Sequence, residues 1–373
     1  MYYFFFYNPE EERRMNSQEL ATSLACSFYA NGQYTNYNVR TGIGSLSPAS
    51  ACEYQFVQPQ AEGFAGLSIQ AVGFGDIHDN KIVHIYTTQG SKKVLESIET
   101  SIGDIEIKIH KMGKMFVRPE LAASSTNRGN LFQKDGRIAC GSSCAPSSEL
   151  ISGTLGAIVQ DDADVKYFLS NNHVFAGCNH TPVDMPILSP STMDASPNLP
   201  SPREVCRHHS IFELRSGFHP LVPTTKADAA IAKIYDDTVV TSWQGDAVIG
   251  YDTPSAVLPG SPGLKVKKIG RTTGITYGEI ESLVNTPSPI LYKSKNFNAT
   301  VFISDAWIVR ANPGEPFALP GDSGSLVVSE DGAQAVGLLF AASPNGELGW
   351  ITPIEAVLEH FNVSLVNSHG TQN

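Results

Sequence analysis

Three short segments, far apart but in a fixed order, constrain this chain most: Leu169-Ser-Asn-Asn-His-Val174, Lys226-Ala-Asp-Ala-Ala-Ile231 and Pro320-Gly-Asp-Ser-Gly-Ser325. The first two lie against apolar runs of strand length, Val165 to Ser170 and Ala229 to Ile234. A serine hydroxyl is a poor nucleophile at neutral pH and needs an imidazole to take its proton. That imidazole in turn needs a buried carboxylate to fix its tautomer and stabilise its cation. Ser323, His173 and Asp228 offer one group of each kind. The set carries the reading, because each member alone has a plainer explanation: a polar turn, a histidine capping an edge strand, a surface charge. Together they predict a hydrolase working by acyl transfer.

The order His, Asp, Ser separates one serine hydrolase architecture from two unrelated ones that use other orders. Here 55 residues separate His173 from Asp228 and 95 separate Asp228 from Ser323, against about 45 and about 93 in the double-barrel template. With Gly153-Thr-Leu-Gly-Ala-Ile-Val159, Asp228-Ala-Ala-Ile-Ala232, Gly270-Arg-Thr-Thr-Gly274, Gly321-Asp-Ser-Gly-Ser325 and Val336-Gly-Leu-Leu-Phe340, the chain resembles the trypsin-like (chymotrypsin-fold, S1-type) serine proteases, in a bacterial-looking branch, over about residues 138 to 361.

The resemblance implies a mostly β fold of two antiparallel six-stranded barrels with a C-terminal helix, preceded by a small α+β domain. It implies Ser323 as nucleophile, His173 as general base and then general acid, Asp228 as the imidazole's partner, and the backbone N–H groups of Gly321 and Ser323 as the oxyanion hole. The substrate pocket is expected from Phe317 at its base and from Ala318, Ala341 and Ala342, favouring small or medium apolar side chains before the scissile bond. The mechanism is complete without a cofactor. In activated relatives the aspartate before the serine is paired by a new amino terminus. Cleavage between Arg137 and Ile138 would free one for Asp322 and make the chain a zymogen; the alternative is an Asp322 paired internally in an active, intact chain. The Gly270 to Gly274 segment reads as a tight turn without chemistry, or as one whose Arg271 holds a carboxylate across the barrel interface.

With 373 residues, 41% of them hydrophobic and 17% charged, the chain is globular and long enough for two or three compact units. A formal charge of −11, with no lysine or arginine run longer than two, excludes a phosphate-backbone binder. The start, Met1 to Tyr7, is aromatic but lacks a leading positive charge and runs into Glu10-Glu-Glu-Arg-Arg14, a poor secretory signal. It reads as a mis-assigned start, with Met15 as the true one, or as a hydrophobic docking tail. No apolar run approaches the ~18 residues of a membrane span, so a soluble, cytoplasmic rather than secreted protein is expected. Without a signal peptide, Cys26, Cys52, Cys140, Cys144, Cys178 and Cys206 are expected as thiols rather than as three disulfides. Cys178, His180, Cys206 and His208 also offer donors for a structural zinc, at a spacing that matches no standard finger.

Along the chain, residues 1–62 read as a loosely structured leader with one helix, Ser17 to Tyr29. Residues 63–117 read as a small α+β domain: a hairpin of Leu67 to Gly73 and Ile82 to Tyr86, a helix over Ser91 to Ile102, and a strand over Asp104 to His110. Residues 118–137 are a linker by composition, and 138–373 are the protease domain, with barrels over about 138–240 and 245–351. A helix opened by Pro353 closes the fold. The expected activity is a serine endopeptidase acting on protein or peptide substrates, regulated through its N-terminal region by an activating protease or regulator. The alternative is a self-processing or catalytically restricted interaction protein built on the same fold.

Overall fold

The computed structural model describes residues 16–30, 33–34, 64, 67–89, 100–117, 129–197, 200–217 and 224–371. The aromatic start, Cys52, most of the expected leader, residues 91–99 of the expected helix and residues 118–128 of the linker lie outside the described residues.

The chymotrypsin-like fold is present as two β units, and the second is a closed barrel. Its six strands run Lys265–Gly270, Gly274–Val284, Ala306–Ala311, Leu348–Pro353, Gln334–Ala342 and Leu326–Ser329 in order around the ring, all antiparallel; the first strand pairs with both the second and the last. Alternation along each strand sends Val266, Ile280, Val309, Val327, Val336, Leu339 and Ile351 into the barrel core.

The first unit is a curled pair of sheets rather than a closed ring. Strands Ala157–Gln160, Lys166–Ser170, Ala230–Lys233, Arg203–Ile211, Pro186–Ser189 and Ser143–Pro146 follow one another in one sheet, while Arg137–Cys140 pairs in parallel with Val240–Gln244 in another. The split falls at Gly141, whose φ of +85° turns the chain sharply between Cys140 and Ser143. Gln133–Lys134 pairs with Arg137–Cys140, so the end of the stretch assigned to a linker forms part of this sheet. Ile138, Leu155, Ile158, Phe168, Val205, Ala232 and Val240 fill the space between the sheets.

The N-terminal residues form a third layer. Ser68–Phe74 and Lys81–Gln89 are an antiparallel hairpin, and Ile105–Lys111 adds in parallel to the second strand. Ser101–Ile102, the described end of the expected helix, instead pairs as a strand with Ile105 and Glu106. Helix Ser17–Ala30 begins with a capping box: the Glu19 N–H donates to Asn16 Oδ1 at 2.8 Å and the Asn16 N–H to Glu19 Oε2 at 3.1 Å. The four-residue spacing of Leu20, Leu24 and Phe28 makes one apolar face, buried against Val72, Val83, Ile85 and Ile107. Each such side chain contributes about 1.5–3 kcal/mol by leaving water. The layer joins the second barrel where Phe74 pairs with Leu283 and where Ala71 and Tyr86 enter one core with Ile308 and Trp350.

After the last barrel strand, helix Ile354–Phe361 buries Ile354 and Val357, and Ser364–Leu365 pairs with Val159 and Gln160 of the first unit. The chain's end thus ties the two units together. Among the described residues no helix is long and apolar enough to cross a membrane.

Candidate active site

Strand register builds the first half of the site. Lys166–Ser170 and Ala230–Lys233 are antiparallel with Ser170 opposite Ala230, so the residues just past the first strand meet those just before the second. His173, on the one-turn helix Asn172–Phe175, is thereby brought to Asp228. His173 Nδ1 donates to Asp228 Oδ2 at 2.5 Å, and the His173 backbone N–H donates to Oδ1 at 3.1 Å. Asn171 Nδ2 donates to the Asp228 carbonyl at 2.6 Å. Both His173 and Asp228 are buried. With its Nδ1 proton committed to the carboxylate, a neutral His173 carries its lone pair on Nε2.

The second half comes from the Pro320–Gly324 turn of the second barrel. Ser323 is half-buried and lines the same cavity as His173, a space of about 160 Å³ between the two β units. No hydrogen bond joins its hydroxyl to the imidazole in this structure, and such bonds commonly tighten only around substrate. The N–H groups of Gly321 and Ser323 have no hydrogen-bond partner among the described residues, as required of donors kept for an oxyanion. Gly321 has φ of +102°, and a Cβ there would lie 2.4 Å from Thr272 Oγ1, so only glycine fits. Thr154 clamps the turn from the first unit: its N–H donates to the Ser323 carbonyl and its hydroxyl to the Gly321 carbonyl, both at 2.9 Å.

Asp322, the residue for which a freed terminus was expected, is already paired. Its carboxylate lies 3.2 Å from Lys268 Nζ, with both side chains fully buried. It also accepts from the N–H groups of Thr272, Thr273 and Leu319 and from the Thr273 hydroxyl at 2.8–3.1 Å. Ile138 sits inside its own strand, opposite Gln133 and Val240. Asp322 is thus paired internally, and cleavage after Arg137 is not needed to neutralise it.

The Gly270 to Gly274 turn, given no chemistry in the sequence reading, wraps this carboxylate with two N–H groups. Its Arg271 does hold a carboxylate across the interface, that of Asp194, in a buried ion pair joined by the Ser143, Ser152 and Ser191 hydroxyls and the Gly129 N–H. Burial alone would raise the Asp194 carboxyl, but Arg271 and these donors outweigh it and hold it at about 2.

Two parts of the site were not foreseen. Tyr292, on the hairpin Ser288–Lys293 and Asn298–Ile303, donates its hydroxyl to Asp228 Oδ2 at 2.9 Å. Burial and the neighbouring Asp228 charge push the Tyr292 phenol well up, keeping it a donor. Tyr292→Phe should lower kcat about three- to tenfold with little change in KM or in melting temperature, measured by steady-state kinetics and calorimetry. The other is the segment before the linker. Phe116–Val117 pairs in parallel with Leu291–Tyr292, so Lys114, Phe116 and Val117 become part of the cavity wall.

The predicted pocket is partly redrawn. Ala318, Ala341 and Ala342 do line the cavity, together with Leu319 and Leu339. Phe317 does not: its ring is fully buried in the barrel core, in space left by Gly278 and Gly349. The zinc reading is overturned. Cys178 and Cys206 lie in different cores, His180 Nδ1 donates to the Cys178 carbonyl at 2.6 Å, and His208 Nδ1 to that of Pro182 at 3.0 Å. Cys140, Cys144, Cys178 and Cys206 are buried thiols, whereas Cys26 is disulfide-bonded, against the expectation of thiols throughout.

Among the described residues, one other group has donor atoms close enough to share an ion: His84, His110 and Glu281, within 4.8 Å of one another. Hydrogen bonding argues otherwise. Arg310 Nη2 must donate to His110 Nδ1, at 2.9 Å, so His110 Nε2 carries a proton and donates to His84 Nδ1, also at 2.9 Å. Arg310 and the Tyr86 hydroxyl hold Glu281 as well. The inward lone pairs are used, and the cluster is a polar seam between the N-terminal layer and the barrel.

Burial, opposed by Glu281 and reinforced by His110, Lys108 and Arg310, pulls His84 down to about 4 from 6.5. Above pH 6.5 His84 is neutral in both states. Between there and about 4 only the unfolded chain takes its proton, so stability falls with pH across this window, by up to about 3 kcal/mol. His84→Gln should flatten the decline in melting temperature between pH 7 and 4; an unchanged slope would contradict it.

No family model matches the chain, and no curated protein does. Solved structures similar to it include protease A of Thermobifida fusca (16% identity, TM-score 0.42, covering 62% of this chain and 100% of that one). A chymotrypsin of Cellulomonas bogoriensis gives 15% identity and a TM-score of 0.41 over 62% of this chain and 98% of that one. A Nocardiopsis protease gives 19% and 0.40 over 61% and 97%. The fold itself rests on the strand topology described above.

Proposed function

We propose that this chain is a serine endopeptidase in which Ser323 attacks the peptide carbonyl, His173 takes and then returns the proton, Asp228 holds the imidazole, and the N–H groups of Gly321 and Ser323 receive the oxyanion. The observation that carries this reading is the buried His173–Asp228 hydrogen bond, which leaves Nε2 as the basic nitrogen of an imidazole sharing a cavity with Ser323. Ala318, Ala341 and Ala342 support a preference for small or medium apolar side chains before the scissile bond. The internal pairing of Asp322 supports activity in the uncut chain. Regulation would come through the N-terminal layer, which contributes directly to the cavity wall.

One observation favours a second reading, a self-processing or catalytically restricted interaction protein: the chain's own Lys114, Phe116 and Val117, just before the expected linker, border the cavity. Turnover of an unrelated denatured protein separates the two. The first reading expects fragments from catalytic amounts of the chain and none from Ser323→Ala; cleavage confined to the chain itself supports the second.

A further inference from the structure

Among the described residues lining the cavity, Lys114 is the only one with a permanent charge. It belongs to the N-terminal layer, outside the two barrels. It is exposed, and it makes no hydrogen bond or ion pair with any described residue. Near Lys114, Arg310 is paired with both Glu281 and Glu347, and Lys108 with Glu106; on the other side of His173, Glu149 and Lys295 bring one charge of each sign to an adjoining cavity. Lys111, three residues before Lys114, also makes no ion pair among the described residues and lines an adjoining cavity that shares Ser343 with the first. The rim thus carries uncompensated positive charge beside a wall of alanine and leucine.

The backbone around Lys114 is held on both sides. Met112 and Met115 are buried in the shared core, the Met112 N–H donates to the Thr87 carbonyl at 2.8 Å, and the Met115 N–H donates to Gln70 Oε1 at 3.2 Å. A Cβ at Gly113 would stand 2.7 Å from Pro344, so the segment lies directly against the loop that follows strand Gln334–Ala342. A backbone held in this way loses little entropy on binding, and an exposed ammonium at the edge of an apolar cavity favours a carboxylate over a neutral or cationic group.

We infer that the N-terminal layer supplies a specificity element, Lys114, and that the preferred substrates are peptides carrying an aspartate or glutamate close to the small apolar residue at the cleavage point. This rests on the proteolytic reading, and its test has a readout that does not require turnover. Peptides with aspartate, alanine or lysine placed in turn at each position flanking an alanine are titrated against full-length Ser323→Ala by fluorescence anisotropy, at low and physiological salt.

At one or two positions aspartate should bind about two- to fivefold more tightly than alanine at low salt, and lysine more weakly than either. Adding Lys114→Glu should invert that order, and salt should narrow it. Equal binding of the three peptides at every position, or an aspartate preference unmoved by Lys114→Glu, would overturn the inference. Turnover of the alanine peptide by the wild-type chain is measured alongside. Selective binding without turnover would sink the proteolytic reading and leave the charge recognition standing; turnover without selectivity would do the reverse.

Discussion

Asp228→Asn should leave the fold and KM nearly intact and lower kcat by about four orders of magnitude, as loss of the carboxylate does in the Ser-His-Asp template. The reason lies in proton placement. Asp228 Oδ2 now accepts from both His173 Nδ1 and the Tyr292 hydroxyl, and Oδ1 accepts from the His173 backbone N–H. An asparagine keeps its single oxygen for the phenol or the backbone and turns an NH₂ group toward Nδ1. The imidazole then carries its proton on Nε2, the nitrogen that must be basic toward Ser323. Unchanged far-ultraviolet circular dichroism with kcat down about 10⁴-fold is the expected result; a loss below tenfold would mean that Asp228 does not set the tautomer.

Lys268→Met should be the most damaging single change to stability away from the cavity, costing about 3–5 kcal/mol by removing one partner of a buried pair. Lys268 and Asp322 are both fully buried, so the carboxylate left behind would keep its hydrogen bonds but lose its counter-charge. Asp322 is flanked by Gly321 and Ser323, so the damage should also reach the turn that presents the oxyanion donors. The double variant Lys268→Met/Asp322→Asn should recover part of the loss, because the charge goes while the amide oxygen still accepts from the Thr272 and Thr273 N–H groups; the Leu319 N–H loses its acceptor. Urea denaturation of the two single variants and the double one measures the coupling. Additive losses would show that the pair is not the unit described.

How much of this was legible in the sequence depended on how local each signal was. His173, Asp228 and Ser323 stood next to apolar strand runs, and strand pairing turned that adjacency into proximity. The closed second barrel followed from short strands punctuated by glycine and proline. Lys268 was half visible: Val266, Lys268 and Gly270 share one face of a strand by alternation, so a lysine there points inward and demands a partner. Its partner, 54 residues away, was not visible. Phe317 was misplaced because counting back from Ser323 fixes a position along the chain but not its depth; the empty space at Gly278 and Gly349 draws the ring into the core.

Cys178, His180, Cys206 and His208 were grouped by composition, yet Cys178 and Cys206 belong to separate cores and the Nδ1 of each histidine is spent on a backbone carbonyl. Tyr292 and Lys114 reach the site from an inserted hairpin and from the N-terminal layer, and no local pattern announces either contact.

The most direct test of Ser323 as an activated nucleophile is labelling of the intact purified chain with a fluorophosphonate probe, with the adduct located by peptide mass spectrometry and Ser323→Ala as control. A single stoichiometric adduct on Ser323 in the uncut chain, absent from Ser323→Ala and strongly reduced in Asp228→Asn, is the predicted result. An intact chain that takes no label, or takes it equally well without Ser323, would contradict it.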